Sequence, residues 1–237
     1  IEIQVLADRY GNVISLGERE CSIQRRNQKL VEEAPSSFVD EKLRRELEEA
    51  SIEFCKAISY EGAGTIEYLV DQEGRFYFME MNGRIQVEHP VTEMITGIDL
   101  VKWQIKIAQG EKLKIKSVER RGYAIELRIN AEDPNTFLPS PGKIEELYIP
   151  GGPGVRVDTH IYCGYTVPPY YDSLLAKLIV WGEDRKSAID RAKRALEEFV
   201  ISGKGLKTNI DFHKRVLSTR EFLEGRHHVK FIEEMML

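Results

Sequence analysis

The sequence predicts an α+β chain, and three observations carry that. Two pairs of adjacent β-rich stretches, 1–7 with 13–19 and 63–70 with 76–82, are each joined by a short polar turn, the pattern of antiparallel hairpins. Three stretches with apolar residues every three or four positions open on Asp40, Asp99 and Asp184, and Asp40 and Asp99 suit helix N-caps. Between Lys112 and Arg121 the chain is charged and poorly patterned. A boundary is expected there, dividing the chain into domains 1–115 and 116–237.

Composition narrows the class. Hydrophobic residues make up 42% and charged residues 31%, as in a globular protein, and the net charge of −5 argues against a general nucleic-acid binder. The segment Arg25-Arg26-Asn27-Gln28-Lys29 is locally basic. No apolar run approaches the roughly 20 residues of a membrane span. Cys21, Cys55 and Cys163 show no C-x-x-C spacing, which fits a reducing cytoplasm and no structural zinc.

In order, Asp8-Arg-Tyr-Gly-Asn12 turns the first hairpin, and 24–33 reads as polar, basic and extended. A helix from Asp40 to about Ile58 turns Leu43, Leu47, Ala50, Phe54 and Ala57 inward. After His89-Pro90, residues 91–96 form a helical turn, and Asp99 caps a helix through Gln109. Strands follow at 122–130, 142–149, 155–159 and 175–181, a helix at 184–199, and short helices at 209–217 and 229–236. Gly151-Gly-Pro-Gly154 has no Lys-Ser/Thr or helix after it, so it reads as a tight turn and not a phosphate loop.

The stretch from Phe76 to Pro90 carries Glu80, Asn82, Arg84, Gln86 and Glu88 at every second position. If the backbone stays extended, all five project one way. Asp71-Gln-Glu-Gly74 reads as a four-residue loop. Pairing Val70 with Arg75 makes Glu67 and Glu80 diagonal neighbours roughly 7–8 Å apart, on a face shared with Leu69, Phe76 and Phe78. Both faces of the hairpin look covered. Two converging carboxylates repel unless one protonates or a cation lies between them. Oxygen donors with no Cys or His nearby suit Mg²⁺ or Mn²⁺, and the apolar residues suit a nucleotide base. A structural ion-pair cluster with Arg84 is the competing reading.

The segment Glu80-Met-Asn-Gly-Arg-Ile-Gln-Val-Glu-His-Pro-Val-Thr-Glu93 resembles the signature of biotin carboxylases. So do Cys21-Ser-Ile-Gln-Arg-Arg-Asn-Gln-Lys29, Arg128-Ile-Asn-Ala-Glu-Asp-Pro134 and Pro168-Pro-Tyr-Tyr-Asp-Ser173. The resemblance spans essentially the whole chain. It implies the C-terminal half of an ATP-grasp domain, an antiparallel sheet with packed helices, followed by the biotin carboxylase C-terminal α+β domain. It implies ATP-dependent carboxylation of biotin by bicarbonate, in an acetyl-CoA, pyruvate or related carboxylase.

The resemblance also implies roles. Glu67, Glu80 and Asn82 correspond to holders of one or two Mg²⁺ or Mn²⁺ ions. Gln24, Asn27 and Leu69, with Glu67 and Glu80, correspond to the ATP site. Lys29, Arg84, Gln86, Val87 and Glu88 correspond to the bicarbonate site, with Glu88 as general base. Gln86 and Arg128 correspond to the biotin site. On pattern alone Arg128 is a surface strand residue. Relatives often carry His at Asn27, Thr at Gly83 and Phe at Pro153, the last near the dimer contact. A biotin carboxyl carrier and a carboxyltransferase are the implied partners, and a homodimer the implied assembly. Since the chain begins at Ile1 within a strand, an N-terminal domain and ATP lid are expected before it, and the isolated chain is expected to be inactive. The alternatives are another bicarbonate-activating ATP-grasp ligase of carbamoyl-phosphate type, and a non-catalytic docking module.

Overall fold

The computed structural model describes residues 1–236. Its elements are β1 (Glu2–Ala7), β2 (Val13–Arg25), β3 (Gln28–Ala34), α1 (Glu41–Ala57), β4 (Gly62–Val70), β5 (Phe76–Asn82), α2 (His89–Thr96), α3 (Leu100–Ala108), β6 (Tyr123–Asn130), β7 (Glu146–Tyr148), β8 (Val155–Thr159), β9 (Leu174–Gly182), α4 (Arg185–Glu198), β10 (Val200–Ser202), α5 (Ile210–Val216), α6 (Arg220–Leu223) and α7 (Phe231–Met235). They fall into two compact units. One holds Ile1–Ser22 and Glu32–Ala124, and the other holds Ile23–Val31 and the chain from Ile125 onward.

In the first unit the strands lie in the order β5-β4-β1-β2-β3. β1 pairs antiparallel with both β2 and β4, and every residue of β1 is buried. One sheet face is apolar: Ile3, Val5, Ile66 and Tyr68 pack on Leu43, Leu47 and Cys55 of α1. The Asp40 side chain accepts the Leu43 N–H at 2.8 Å and caps that helix. Its buried stripe is Leu43, Leu47, Ser51 and Cys55, and Ala57, expected inward, is exposed. Ser51 is tolerated inside because it donates to the Leu47 carbonyl (2.7 Å) and meets the Tyr68 hydroxyl (2.9 Å).

A second cluster gathers Leu6, Leu16, Ala63, Leu100 and Ile107. Asp99 caps α3 through the Lys102 N–H. The charged stretch from Lys112 to Arg121 forms neither helix nor strand, but Leu113, Ile115 and Val118 pack on this cluster. That packing places it within the first unit.

Residues 24–33 are not one extended run. β2 continues to Arg25, the chain reverses at Arg26 (φ 50°) and Asn27 (φ 63°), and β3 returns. Two consecutive positive φ values are those of a two-residue hairpin turn matching strand twist. In the second unit β8 pairs antiparallel with β9, in the sheet order β6-β9-β8, and β7 pairs with β10. Asp184 caps α4, which buries Ala188, Ile189, Ala192, Ala195 and Leu196. Gly182 permits the approach, since a Cβ there would lie 2.4 Å from the Ala188 nitrogen. The strand expected over 142–149 shortens to β7, and α6 and β10 were not anticipated. Gly151 to Gly154 is a turn, closed by the Val155 N–H on the Gly152 carbonyl at 3.1 Å. Among the described residues no helix is long and apolar enough to cross a membrane. Cys21 and Cys55 are buried and Cys163 is exposed.

Candidate active site

Strand register builds the site. Glu2 lies opposite Arg19 on β2 and opposite Glu67 on β4, and Glu67 lies opposite Glu80 on β5. Gln4, Thr65 and Asn82 form the next cross-strand row. Directly opposed residues share a sheet face. Four strands therefore bring Arg19, Glu2, Glu67 and Glu80, with Gln4, Thr65 and Asn82, onto the face turned away from α1.

Three expectations about the hairpin are corrected. First, Val70 pairs with Phe76, not Arg75. The Asp71 carboxylate holds the longer loop by accepting from the N–H groups of Glu73 and Arg75 at 3.1 and 2.9 Å. The register then shifts by one between Tyr68 and Glu67, absorbing Met79 as an extra residue on β5. Glu67 and Glu80 are thus directly opposed, not diagonal. Phe76 and Phe78 lie on the α1 side, with Tyr68–Phe76 and Phe54–Phe78 ring centroids 5.4 and 5.1 Å apart. Second, β5 ends at Asn82, so Arg84, Gln86 and Glu88 come from a turn leading into α2 and do not continue one strand. Glu88 stands at the N-cap position, and Pro90 falls in the first turn, where its missing N–H costs nothing. Third, the carboxylate face is open: Leu69 is 50% and Tyr77 51% exposed.

Of the expected residues, Glu67, Glu80, Asn82 and Gln86 meet in one hydrogen-bonded chain. The Asn82 amide donates to both Glu67 Oε1 and Glu80 Oε1 at 3.0 Å, and Gln86 Nε2 donates to Glu67 Oε1 at 2.8 Å. Arg19 donates to Gln86 Oε1 at 3.0 Å. Glu88 is buried and interacts electrostatically with Arg19. Burial would pull the Arg19 guanidinium down, but Glu2, Glu88 and Cys21 hold it above its ordinary value, so it stays charged. Arg84 is exposed and donates to the Ile85 carbonyl at 3.3 Å, Val87 is half-buried in the turn, and Leu69 borders Glu67. His89 Nδ1 lies 2.8 Å from the Gln86 carbonyl.

The remaining candidates belong to the second unit. Gln24 is half-buried near the end of β2, Asn27 is exposed in the turn, and Lys29 is half-buried on β3. Arg128 is half-buried on β6, and its carbonyl accepts from Asn209 Nδ2 (2.9 Å) and His213 Nε2 (2.8 Å).

Sequence reasoning missed Arg19, Glu2, Gln4 and Thr65. A signal existed: Glu2 and Gln4 alternate inside an apolar strand, as Glu80 and Asn82 do. Three carboxylates against one guanidinium leave the row Arg19-Glu2-Glu67-Glu80 net negative, and the side chains bonded to Glu67 and Glu80 are the amides of Asn82 and Gln86. That chemistry fits a divalent cation held by Glu67, Glu80 and Asn82, the amide turning to offer its oxygen. Glu2, Cys21 and Glu88 also have ligand atoms within 4.8 Å of one another. The Arg19 charge beside them disfavours a cation there.

Residues 1–116 match the family model for the carbamoyl-phosphate synthase L chain, ATP binding domain, and residues 126–234 match the biotin carboxylase C-terminal domain. A biotin carboxylase of Nostoc sp. is 59% identical over 99% of this chain and 53% of its own length. The chain belongs to the biotin carboxylase family. Another family member, biotin carboxylase 1 of Bacillus subtilis, is 56% identical over 98% of this chain and 52% of its own. The biotin carboxylase domain dimer of Hydrogenobacter thermophilus 2-oxoglutarate carboxylase, solved with MgADP, ADP and bicarbonate, superposes with TM-score 0.95 at 52% identity, covering 98% of this chain and 52% of that one. The chain spans about half the length of these relatives.

Proposed function

We propose that this chain supplies the C-terminal half of a biotin carboxylase, which carboxylates biotin with bicarbonate and ATP. One observation carries the reading. Glu67, Glu80, Asn82 and Gln86 converge in a hydrogen-bonded chain on an open sheet face, with buried Glu88 following in the same segment. Glu67, Glu80 and Asn82 would hold Mg²⁺ or Mn²⁺, which when bound neutralises charge on the transferring phosphoryl group. Leu69 would border the base, and Gln24 and Asn27 would donate to the nucleotide. Lys29, Arg84, Gln86 and the Val87 backbone would hold bicarbonate, and Glu88 would take its proton so that its oxygen attacks the γ-phosphate. The attack breaks the γ-phosphate's bond to the β–γ bridging oxygen and expels ADP. The carboxyphosphate formed releases CO₂ and phosphate, the phosphate can take the N1 proton of biotin, and N1 then adds to CO₂ to give carboxybiotin. Arg84 and Arg128 would stabilise charge developing on the biotin ureido oxygen, with Gln86 beside it.

Biotin on a carrier domain, a carboxyltransferase partner, a homodimeric assembly and a cytoplasmic location complete the proposal. The match of residues 126–234, which include Arg128, to the biotin carboxylase C-terminal domain favours biotin over a carbamoyl-phosphate-type acceptor. The test is phosphate release from MgATP by the complete protein with bicarbonate, with and without free biotin, beside Glu88→Gln. Biotin-stimulated release that the variant loses supports the reading. Release indifferent to biotin moves it to another ATP-grasp ligase, and no release despite nucleotide binding leaves a binding module. Arg84→Ala and Arg128→Ala are each expected to lower the biotin-dependent rate about 100-fold or more with an unchanged Tm. Wild-type turnover by either would remove that role.

A further inference from the structure

The Arg19 guanidinium has no part in the chemistry above, yet it is wholly buried at the centre of the polar face. A guanidinium has five N–H donors and no acceptor. All of them are engaged. Nε donates to Glu2 Oε1 (2.5 Å), Nη1 to Gln4 Oε1 (2.7 Å) and Thr92 Oγ1 (2.9 Å), and Nη2 to Thr65 Oγ1 (3.2 Å) and Gln86 Oε1 (3.0 Å). No donor is left for a substrate, so Arg19 acts through its acceptors.

Four of those acceptors come from β1, β4 and α2 and frame the guanidinium. The fifth, Gln86, is where the frame meets the site. A carboxamide offers an oxygen that accepts and a nitrogen that donates. Because Arg19 can only donate, it fixes the Gln86 oxygen inward. The amide nitrogen must then face Glu67, as observed at 2.8 Å. The alternative amide orientation would set an N–H against a buried guanidinium and leave both unsatisfied.

We propose that Arg19 is a positioning residue for bicarbonate: it locks the orientation of the Gln86 amide and so the donor pattern of the anion site. This rests on the assignment of Gln86 to bicarbonate. A bare structural strut would need no such fork, since buried ion pairs are replaceable by apolar packing with little loss of stability.

The test uses the complete protein, with KM for bicarbonate and KM for MgATP measured separately from phosphate release. Arg19→Lys keeps the charge but loses the fork. It is expected to raise KM for bicarbonate about tenfold while KM for MgATP moves less than about twofold. Thr92→Val is close in shape, touches no proposed substrate and removes an acceptor of Nη1, while Gln86 accepts from Nη2. It is expected to raise KM for bicarbonate about threefold and to lower the Tm, since one buried N–H of Arg19 loses its acceptor, and it decides the matter where Arg19→Lys fails to fold. A bicarbonate KM within twofold of wild type in whichever variants fold, or the two KM values rising together, overturns the proposal. Bicarbonate-independent release by the wild-type protein sinks the functional reading and this inference with it. Bicarbonate-dependent wild-type release with an unmoved KM in the variants sinks this inference alone.

Discussion

Asn209 and His213 converge on one backbone oxygen, the carbonyl of Arg128. Since a carbonyl only accepts, His213 Nε2 carries the hydrogen, and Nδ1 is buried without a partner. Protonating Nδ1 would place a charged donor where nothing accepts it. Burial accordingly pushes the His213 imidazole down to about 4 from 6.5, against a smaller upward pull from the Arg128 carbonyl. The folded value is depressed, so neutral His213 contributes stability that is fully present above about 6.5. That stability is lost as pH falls toward 4, because the unfolded chain takes up a proton that the folded chain refuses. The expected loss is on the order of 3 kcal/mol. A denaturant midpoint measured from pH 7 to 4 should fall more steeply for wild type than for His213→Gln, which cannot titrate. Equal slopes would show that another group accounts for the acid sensitivity.

The β4–β5 hairpin is where the sequence was hardest to read. Strict alternation put Phe78 and Glu80 on one face, and the extra residue Met79 sends them to opposite faces. Propensity and patterning do not announce a bulge, because each residue there suits a strand. The resulting opposition of Glu67 and Glu80 is a repulsion that the Asn82 amide only partly relieves. Glu80→Gln is therefore expected to raise the stability of the cation-free protein by a few tenths of a kcal/mol. Gly83, one residue past the strand, makes a different case. A Cβ there would meet only the Tyr60 ring system, at 3.7 Å, and its φ lies outside the left-handed region. Gly83→Thr is expected to be accepted and to stabilise by about 0.5 kcal/mol through the unfolded chain, read as a shift in denaturant midpoint. Destabilisation would mean the bend needs glycine after all. At the other hairpin, Asn27 sits at φ 63°, a conformation that Asn and His both tolerate better than most residues. A His at this position would therefore be accepted by the backbone as Asn is.

At the scale of the molecule, the α+β class and most elements were legible. Caps at Asp40 and Asp99 are local signals and fall where expected. The site was half legible. Glu67, Glu80, Asn82 and Gln86 were recognisable by spacing and motif, whereas Arg19 and Glu2 depend on which strand lies beside which. Only the order β5-β4-β1-β2 makes them neighbours of Glu67. The same non-local assembly means that ligand binding reports on the whole fold, since a cation bound only to the native state stabilises it by mass action. Added Mg²⁺ with ADP is expected to raise the Tm of the complete protein, by about 2.7 kcal/mol of stability at a hundredfold excess over Kd. Glu80→Gln should shrink that rise. A variant responding as strongly as wild type would take Glu80 out of the cation site.

The outermost strand of the described sheet carries a further consequence. β5 has no neighbour beyond it, and Tyr77, Phe78 and Met79 are each more than half exposed. A long, flat, apolar edge is a template on which another molecule can add a strand and start a fibril. The irregularity at Met79 breaks that edge into two short stretches, and Glu80 follows it with a charge. The kink that aligns the carboxylates thus also guards the chain against polymerising through its own margin.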